Sequence, residues 1–98
     1  MKNNLKDIGI YGSRHYDYLR KNKPIIINVM RMNGTLNDYL KSVNEQAEEM
    51  LFQLVKQLAK QEGVTEELKR RDQMEWVRRM NSIRNRAEEI VKSEVLFT

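Results

Sequence analysis

The feature that most constrains the fold of this chain is a hydrophobic repeat in alternating steps of four and three residues. It follows Thr35, and its apolar positions are Leu36, Leu40, Val43, Ala47, Met50, Leu54 and Leu58. This spacing keeps one face of an α-helix apolar, whereas in a strand every second residue shares a face. The repeat predicts an amphipathic helix about 42 Å long, at 1.5 Å per residue, that ends at Gly63.

A second stretch shows the same pattern after a short linker. Its apolar positions are Trp76, Met80, Ile83, Ala87 and Ile90. Thr35, Thr65 and Asp72 are candidate N-caps for the first helix, for a short helical turn in the linker and for the second long helix. The pattern therefore predicts an antiparallel helical hairpin over residues 35–96.

Residues 13–34 predict two short basic helices packed on that hairpin. Ser13 is a candidate N-cap for the first, Pro24 suits the first position of the second, and Gly34 suits the position just past its end. The β-branched side chains of residues 25–30 leave a strand open as the alternative, although the apolar spacing favours helix.

Residues 1–12 have no convincing period, and we expect them to be a flexible arm or a short strand. The predicted architecture is then all-α. It is a single domain over residues 1–98 with a dominant hairpin and two short N-terminal helices.

Composition argues against most enzymatic chemistry. The chain has no cysteine, and its only histidine, His15, is expected to be a surface or packing residue. Thiolate metal sites, histidine clusters and cysteine nucleophiles are therefore excluded. Neighbouring carboxylates such as Glu48 and Glu49 point about 100° apart on a helix, and the four scattered glycines form no phosphate-binding loop. We expect no enzyme, no catalytic residue, no metal, no cofactor and no small-molecule substrate.

Localisation follows from similar exclusions. The longest apolar run, residues 25–27, is far shorter than the roughly 20 residues that a membrane span needs. The N-terminus lacks the apolar core of a signal peptide. We expect a cytoplasmic protein with no membrane partner.

The net charge of +4 is unevenly distributed. Residues 1–34 carry seven bases and two acids, residues 35–68 three bases and seven acids, and residues 69–86 seven bases and two acids. Basic blocks favour nucleic-acid binding, while the acidic block between them offers compensation within the fold.

The first basic block gives one set of candidate binding residues. Two tyrosines, Tyr16 and Tyr18, lie among five cations on a pair of helices with the size of a helix-turn-helix. The cations are Arg14, Arg20, Lys21, Lys23 and Arg31. This cluster is the stronger candidate for contact with nucleic acid.

The third block gives a second set, a ladder of polar side chains opposite the apolar face of the second long helix. Its members are Arg71, Arg78, Arg79, Asn85 and Arg86. The ladder is either a track for phosphates, with asparagine reading base edges, or a structural or interfacial face. The second reading expects Glu45, Glu48 and Glu49 to neutralise it across the hairpin.

Two segments carry a resemblance to a known family. EGVTEELKRRDQMEWVRRMNSIRNRAEEIVKSE, residues 62–94, is similar to the C-terminal signature of the transposon-encoded TnpV family. YGSRHYDYLRKNKPIIINVMRMNGTLNDYL, residues 11–40, resembles the upstream half of that family. The resemblance implies an accessory protein of a mobile genetic element and implies no catalytic residues.

Two hypotheses for function follow. The first is a non-enzymatic accessory protein that binds DNA or assists a recombinase, with DNA or a nucleic-acid-associated protein as partner. The second is a protein-binding modulator or inhibitor of a host protein such as a defence nuclease. Because the hairpin has more apolar surface than two short helices can cover, we also expect a homodimer.

Overall fold

The computed structural model describes residues 5–97, and most of that range is helical. In chain order the elements are α1 (Gly9–Asn22), α2 (Pro24–Asn33), α3 (Leu36–Gln61), α4 (Glu66–Arg71), α5 (Gln73–Val91) and a closing π-helical turn (Lys92–Leu96). The all-α prediction is confirmed. Residues 25–30 lie within α2, so the strand alternative is wrong.

Several helix ends follow the residues that predicted them. Pro24 occupies the first turn of α2, and Gly34 ends it with a left-handed φ of 72°. The Thr65 hydroxyl accepts a hydrogen bond from the Leu68 N–H at 3.3 Å, which caps α4. The Asp72 carboxylate accepts one from the Glu75 N–H at 3.1 Å, which caps α5.

Thr35 departs from this pattern. It holds the N-cap position of α3, but in the structure of residues 5–97 its side chain makes no cap hydrogen bond. Its backbone N–H instead bonds to the Met30 carbonyl oxygen at 2.9 Å. That bond closes the end of α2 in the manner of a Schellman motif, so Thr35 serves the helix before it.

The predicted arm is wrong for residues 9–12, because α1 begins at Gly9 rather than after Ser13. The cause is a cap supplied from α3. Asn44 Oδ1 accepts hydrogen bonds from the backbone N–H groups of Tyr11, at 3.0 Å, and Gly12, at 3.3 Å. These N–H groups have no partner within their own helix, and no local sequence pattern reveals one 32 residues away. Residues 1–4 of the predicted arm lie outside the described residues.

The long helices α3 and α5 pack side by side in opposite directions. Val43 and Ala47, early in α3, share a hydrophobic cluster with Val91, the last residue of α5. Val55 and Leu58, late in α3, pack instead with Ile83 of α5. Val91 is fully buried while Ile90, which the repeat assigned to the apolar face, is 40% exposed. The core face of α5 thus shifts by one residue where the closing turn joins the cluster.

The molecule is 55 Å long, and different helices build its two ends. At what we call the near end, α1 and α2 cover the start of α3. Its buried residues are Ile8, Tyr16, Leu19, Ile27, Leu36 and Leu40. At the far end, the last turns of α3 share a hydrophobic cluster with α4 and α5 around Val64, Leu68 and Ile83.

Candidate nucleic-acid interface

The near end carries the first predicted set of cations. Tyr16 and Leu19 turn one face of α1 into the core, so its charged residues point to solvent. We call the five exposed cations of α1, α2 and the turn between them the basic face. They are Arg14, Arg20, Lys21, Lys23 and Arg31. The structure therefore places the whole predicted set on two consecutive helices and the turn that joins them.

Tyr16 organises two of these cations. Its hydroxyl accepts a hydrogen bond from the Arg31 guanidinium at 2.5 Å. The guanidinium carbons of Arg20 and Arg31 lie 5.7 and 5.9 Å from the centre of its ring, within the range of a cation–π contact. Arg20 also forms an exposed ion pair with Asp17 at 3.5 Å. Two long side chains are thus held in place at the surface while keeping their charge.

A groove of about 450 Å³ opens between α1 and the end of the chain. Its lining combines cationic, polar and aromatic side chains, namely Arg14, Asp17, Tyr18, Lys21, Asn22, Lys92 and Phe97. The rings of Tyr18 and Phe97 lie 5.6 Å apart at a tilted angle of 39°. Lys92 and Phe97 were not among the predicted residues. They are at least 70 positions from α1 in sequence, and no spacing pattern could have placed them there.

His15 holds this groove together from inside. It is only 3% exposed, which identifies it as a packing residue. Its Nδ1 lies 2.8 Å from the Leu96 carbonyl oxygen, and its Nε2 lies 2.8 Å from the Tyr39 hydroxyl. In the neutral ring, Nδ1–H donates to the carbonyl and Nε2 accepts from the hydroxyl. His15 thereby ties the closing turn to α1 and to α3.

Nearby, burial raises the pKa of Tyr39 above its usual value. Burial also raises the pKa of Tyr11, and the Glu88 carboxylate that accepts from its hydroxyl at 3.3 Å adds to the effect. Both phenols are therefore protonated donors at neutral pH.

The second predicted set lies elsewhere. Arg71 belongs to α4, and Arg78, Arg79, Asn85 and Arg86 lie along α5, all exposed. Arg86 contacts Glu62, at the C-terminal end of α3, which places the ladder toward the far end. The structure therefore does not bring the two predicted sets into one surface.

The ladder is neutralised by acids other than those predicted. The Glu75 carboxylate accepts hydrogen bonds from the guanidinium groups of both Arg78 and Arg79, the latter at 2.6 Å. Arg86 donates two bonds to the Glu62 carboxylate, at 2.6 and 2.9 Å. These bonds lower the pKa of Glu62 and raise the pKa of Arg86. Arg71 pairs with Glu67 at 3.5 Å.

The expectation that Glu45, Glu48 and Glu49 would neutralise the ladder is wrong. Those residues lie in the first half of α3, and the antiparallel packing sets that half beside the C-terminal part of α5. Four of the ladder residues lie earlier along α5 than Val91, and Arg71 lies in α4. Their guanidinium groups are engaged within the fold, which favours the structural reading of the ladder over a phosphate track.

A family comparison agrees with the resemblance noted in the sequence. A protein-family model described as transposon-encoded protein TnpV matches residues 1–96. The chain belongs to the TnpV family. No curated protein and no solved structure matches it. Membership makes this TnpV chain a transposon-encoded accessory protein, and the resemblance predicted from its two segments is confirmed.

Two further properties of the TnpV chain concern residues 5–97 alone. Nowhere in that range do three or more His, Asp or Glu side chains gather closely enough to hold a metal ion. None of the helices in the same range has the length and apolar character needed to cross a membrane.

Proposed function

We propose that this TnpV protein is a non-enzymatic accessory factor that binds DNA through its basic face and thereby assists a recombinase. The observation that carries the proposal is the gathering of five exposed cations on α1, α2 and the turn between them, with Asp17 as the acid among them. Family membership supports a setting in which DNA is the substrate of the larger system.

The geometry of the basic face suits phosphates better than that of the ladder. Phosphate neutralisation by lysine and arginine supplies most of the free energy of non-specific DNA binding. Arg20 and Arg31 are already ordered by Tyr16, so less side-chain entropy is lost when they contact a phosphate. The ladder arginines, by contrast, would lose short charge-assisted hydrogen bonds to Glu75 and Glu62, two of them from Arg86 alone.

Fluorescence anisotropy of a labelled duplex, titrated at several salt concentrations, tests the proposal. We expect binding that weakens steeply with salt, by a slope of about 0.9 in log–log units per phosphate contact. The combined replacement of Arg20, Lys21 and Lys23 by glutamine should reduce that slope by up to about three. The matched control replaces Lys41, Lys56 and Lys60, three exposed lysines of α3, by glutamine and removes the same charge.

The control should bind the duplex much as the parent does. Equal losses in both variants would indicate a general effect of net charge and would contradict a localised interface. No binding at low salt would exclude direct contact with DNA.

A second candidate function, binding to another protein, is supported by the outer surface of α2. Ile25, Val29 and Met32 are spaced on one side of the helix and are 75%, 48% and 87% exposed. The surrounding segment is strongly basic, so two copies meeting there would bring like charges together. We therefore propose a partner that presents an acidic, amphipathic surface.

This candidate predicts a stoichiometric partner that survives nuclease treatment in a pull-down from the host. Replacing Ile25, Val29 and Met32 by serine should abolish its capture. Replacing Phe52 and Met74 by serine, at exposed apolar positions outside α2, should leave it intact. If both variants still capture the partner, α2 is not part of the interface.

The homodimer expected from the sequence stays a prediction. The reason to expect self-association lies at the far end, because the repeat residues of α3 there are only half-buried. Sedimentation equilibrium at high micromolar concentration should show twice the mass of 11.7 kDa. A clean monomer would contradict self-association.

A further inference from the structure

We propose that the groove between α1 and the closing turn binds single-stranded DNA by stacking an unpaired base against Phe97 and Tyr18. The inference rests on the proposed function, because the groove adjoins the basic face and shares Arg14 and Lys21 with it. It adds a preference for unpaired DNA and three residues that the basic face does not include, Tyr18, Lys92 and Phe97.

The size of the groove suits a single nucleotide. Its volume of about 450 Å³ lies within the range of small-ligand pockets, roughly 300–1,000 Å³. A base within a duplex has both faces covered by its neighbours. Only an unpaired base offers a free face to an aromatic ring, so a groove of this size with an aromatic wall selects for single strands.

The aromatic wall is partly open to solvent. Phe97 is 46% exposed, although large apolar side chains are usually covered in a small domain. Tyr18 is half-buried and stacks over His15, with ring centres 6.4 Å apart. A base that entered the groove would extend this series of rings, and it would cover apolar surface of Phe97 that water now contacts.

The cations at the rim suit the phosphates that flank such a base. The lining includes three cations and one acid, namely Arg14, Lys21, Lys92 and Asp17. Arg14 lies over the Tyr11 ring at 5.8 Å, and Lys92 pairs with the exposed Glu89 at 3.3 Å. Exposed ion pairs of this kind are weak and exchange readily for a phosphate. Single-strand grooves combine the same two elements, a positive track and aromatic platforms.

The wall is also fixed before any ligand arrives. The hydrogen bond between His15 and the Leu96 carbonyl anchors the residue that precedes Phe97. The Phe97 N–H bonds to the Lys92 carbonyl oxygen at 2.9 Å, which closes the turn. Because the backbone that carries the ring is held in this way, less backbone freedom is lost on stacking, which favours binding.

The test compares a fluorescent thymidine 15-mer with a duplex of the same length at one salt concentration. Phe97→Leu keeps the site apolar but removes the ring, and we expect about 5- to 100-fold weaker binding of the single strand. Its affinity for the duplex should change less than about twofold. Phe52→Leu is the matched control, since Phe52 is 58% exposed on α3 outside the groove, and it should match the parent in both assays.

A second measurement leaves the protein unchanged. An oligonucleotide of equal length with abasic sites keeps the phosphates and lacks the bases, so the parent protein should bind it as weakly as Phe97→Leu binds the intact strand. Equal affinity for intact and abasic strands, or a neutral Phe97→Leu replacement, would overturn the groove proposal while leaving duplex binding in place. Single-strand binding that depends on Phe97, without any duplex binding, would uphold the groove and overturn the duplex proposal. Binding of neither DNA would overturn both.

Discussion

The two halves of α3 have the same hydrophobic repeat but different degrees of burial. In the near half, Leu36, Leu40, Val43 and Ala47 are buried, and Leu40 and Ala47 are fully inaccessible. In the far half, the apolar residues are only half-buried, namely Met50, Leu51, Leu54, Val55 and Leu58. The difference arises because α1 and α2 cover Leu36 and Leu40, and the end of α5 with the closing turn covers Val43 and Ala47. The last turns of α3 have fewer elements around them. A sequence repeat thus fixes which face of a helix is apolar, while neighbouring elements decide how much of that face leaves water.

This contrast places the main source of stability and the candidate binding surfaces at the same end of the molecule. The hydrophobic contribution to stability scales with the apolar area removed from water, so it should be concentrated at the near end. The same end carries the basic face and the groove, positioned by well-packed helices. A preorganised binding surface requires rigid support from the helices beneath it.

The largest expected effect is a cavity at the centre of the near end. Leu40→Ala should lower the free energy of unfolding by about 3 kcal/mol, within the roughly 2–5 kcal/mol found for buried leucines. Leu54→Ala, the same change in the far half, should lower it by about 1 kcal/mol, since less area is lost from the core. Urea denaturation followed by circular dichroism measures both. Equal losses would show that the far half is buried by something else, such as a second copy.

The next effect concerns the close approach of α1 to α3. A Cβ on Gly12 would lie 2.8 Å from the Leu40 carbonyl oxygen. In an open helix, Gly→Ala stabilises by about 1 kcal/mol, but this contact should turn Gly12→Ala into a loss of about 2 kcal/mol.

Gly63→Ala provides the comparison at the far end. A Cβ there meets nothing within 4 Å, and only the positive φ of 69° opposes it. We expect a cost of about 1 kcal/mol in the same urea assay. A stabilising Gly12→Ala would show that α1 does not dock as closely as described.

A smaller effect should follow from loss of the cap that starts α1. Asn44→Ala leaves the N–H groups of Tyr11 and Gly12 without their shared acceptor, at a cost of about 1–2 kcal/mol. Asn85→Ala, at an exposed ladder position, should change stability by less than about 0.5 kcal/mol. Hydrogen exchange at Tyr11 and Gly12 should accelerate in the first variant only. Unchanged exchange there would place the start of α1 elsewhere.

The smallest effect lies at the far end and depends on pH. Hydrogen bonds from Arg86 lower the pKa of Glu62 from its usual 4.5. A carboxyl group with a lowered pKa in the folded state stabilises the fold above its unfolded pKa and loses that effect as the pH falls through the folded pKa. The urea midpoint of the parent should therefore exceed that of Glu62→Gln slightly at neutral pH, and the two should converge in acid. A difference that persists at low pH would contradict the ion pair.

Sequence reasoning succeeded where the cause was local. The repeat of α3, the Pro24 and Gly34 boundaries of α2 and the caps Thr65 and Asp72 all depend on residues within one or two helical turns. The all-α class followed from these features.

The remaining features depend on contacts between distant residues. The start of α1 depends on Asn44, and the groove depends on a bond between His15 and Leu96 across 81 positions. The partner of Arg86 is Glu62, which no helical spacing connects to it. A single sequence contains these residues but does not state which of them meet, because that depends on how the helices pack.

The most direct test of the account is an NMR titration of the isotopically labelled protein with the thymidine 15-mer and, separately, with the duplex. We expect chemical-shift changes at the near end in both experiments, around Arg20, Lys21 and Lys23. The changes at Tyr18, Lys92 and Phe97 should be largest for the single strand. The amide signals of residues around Arg78, Arg79 and Arg86 should not shift. Changes centred on α5 with an unaffected α1 would contradict the central claim that the near end of the molecule is its DNA-binding surface.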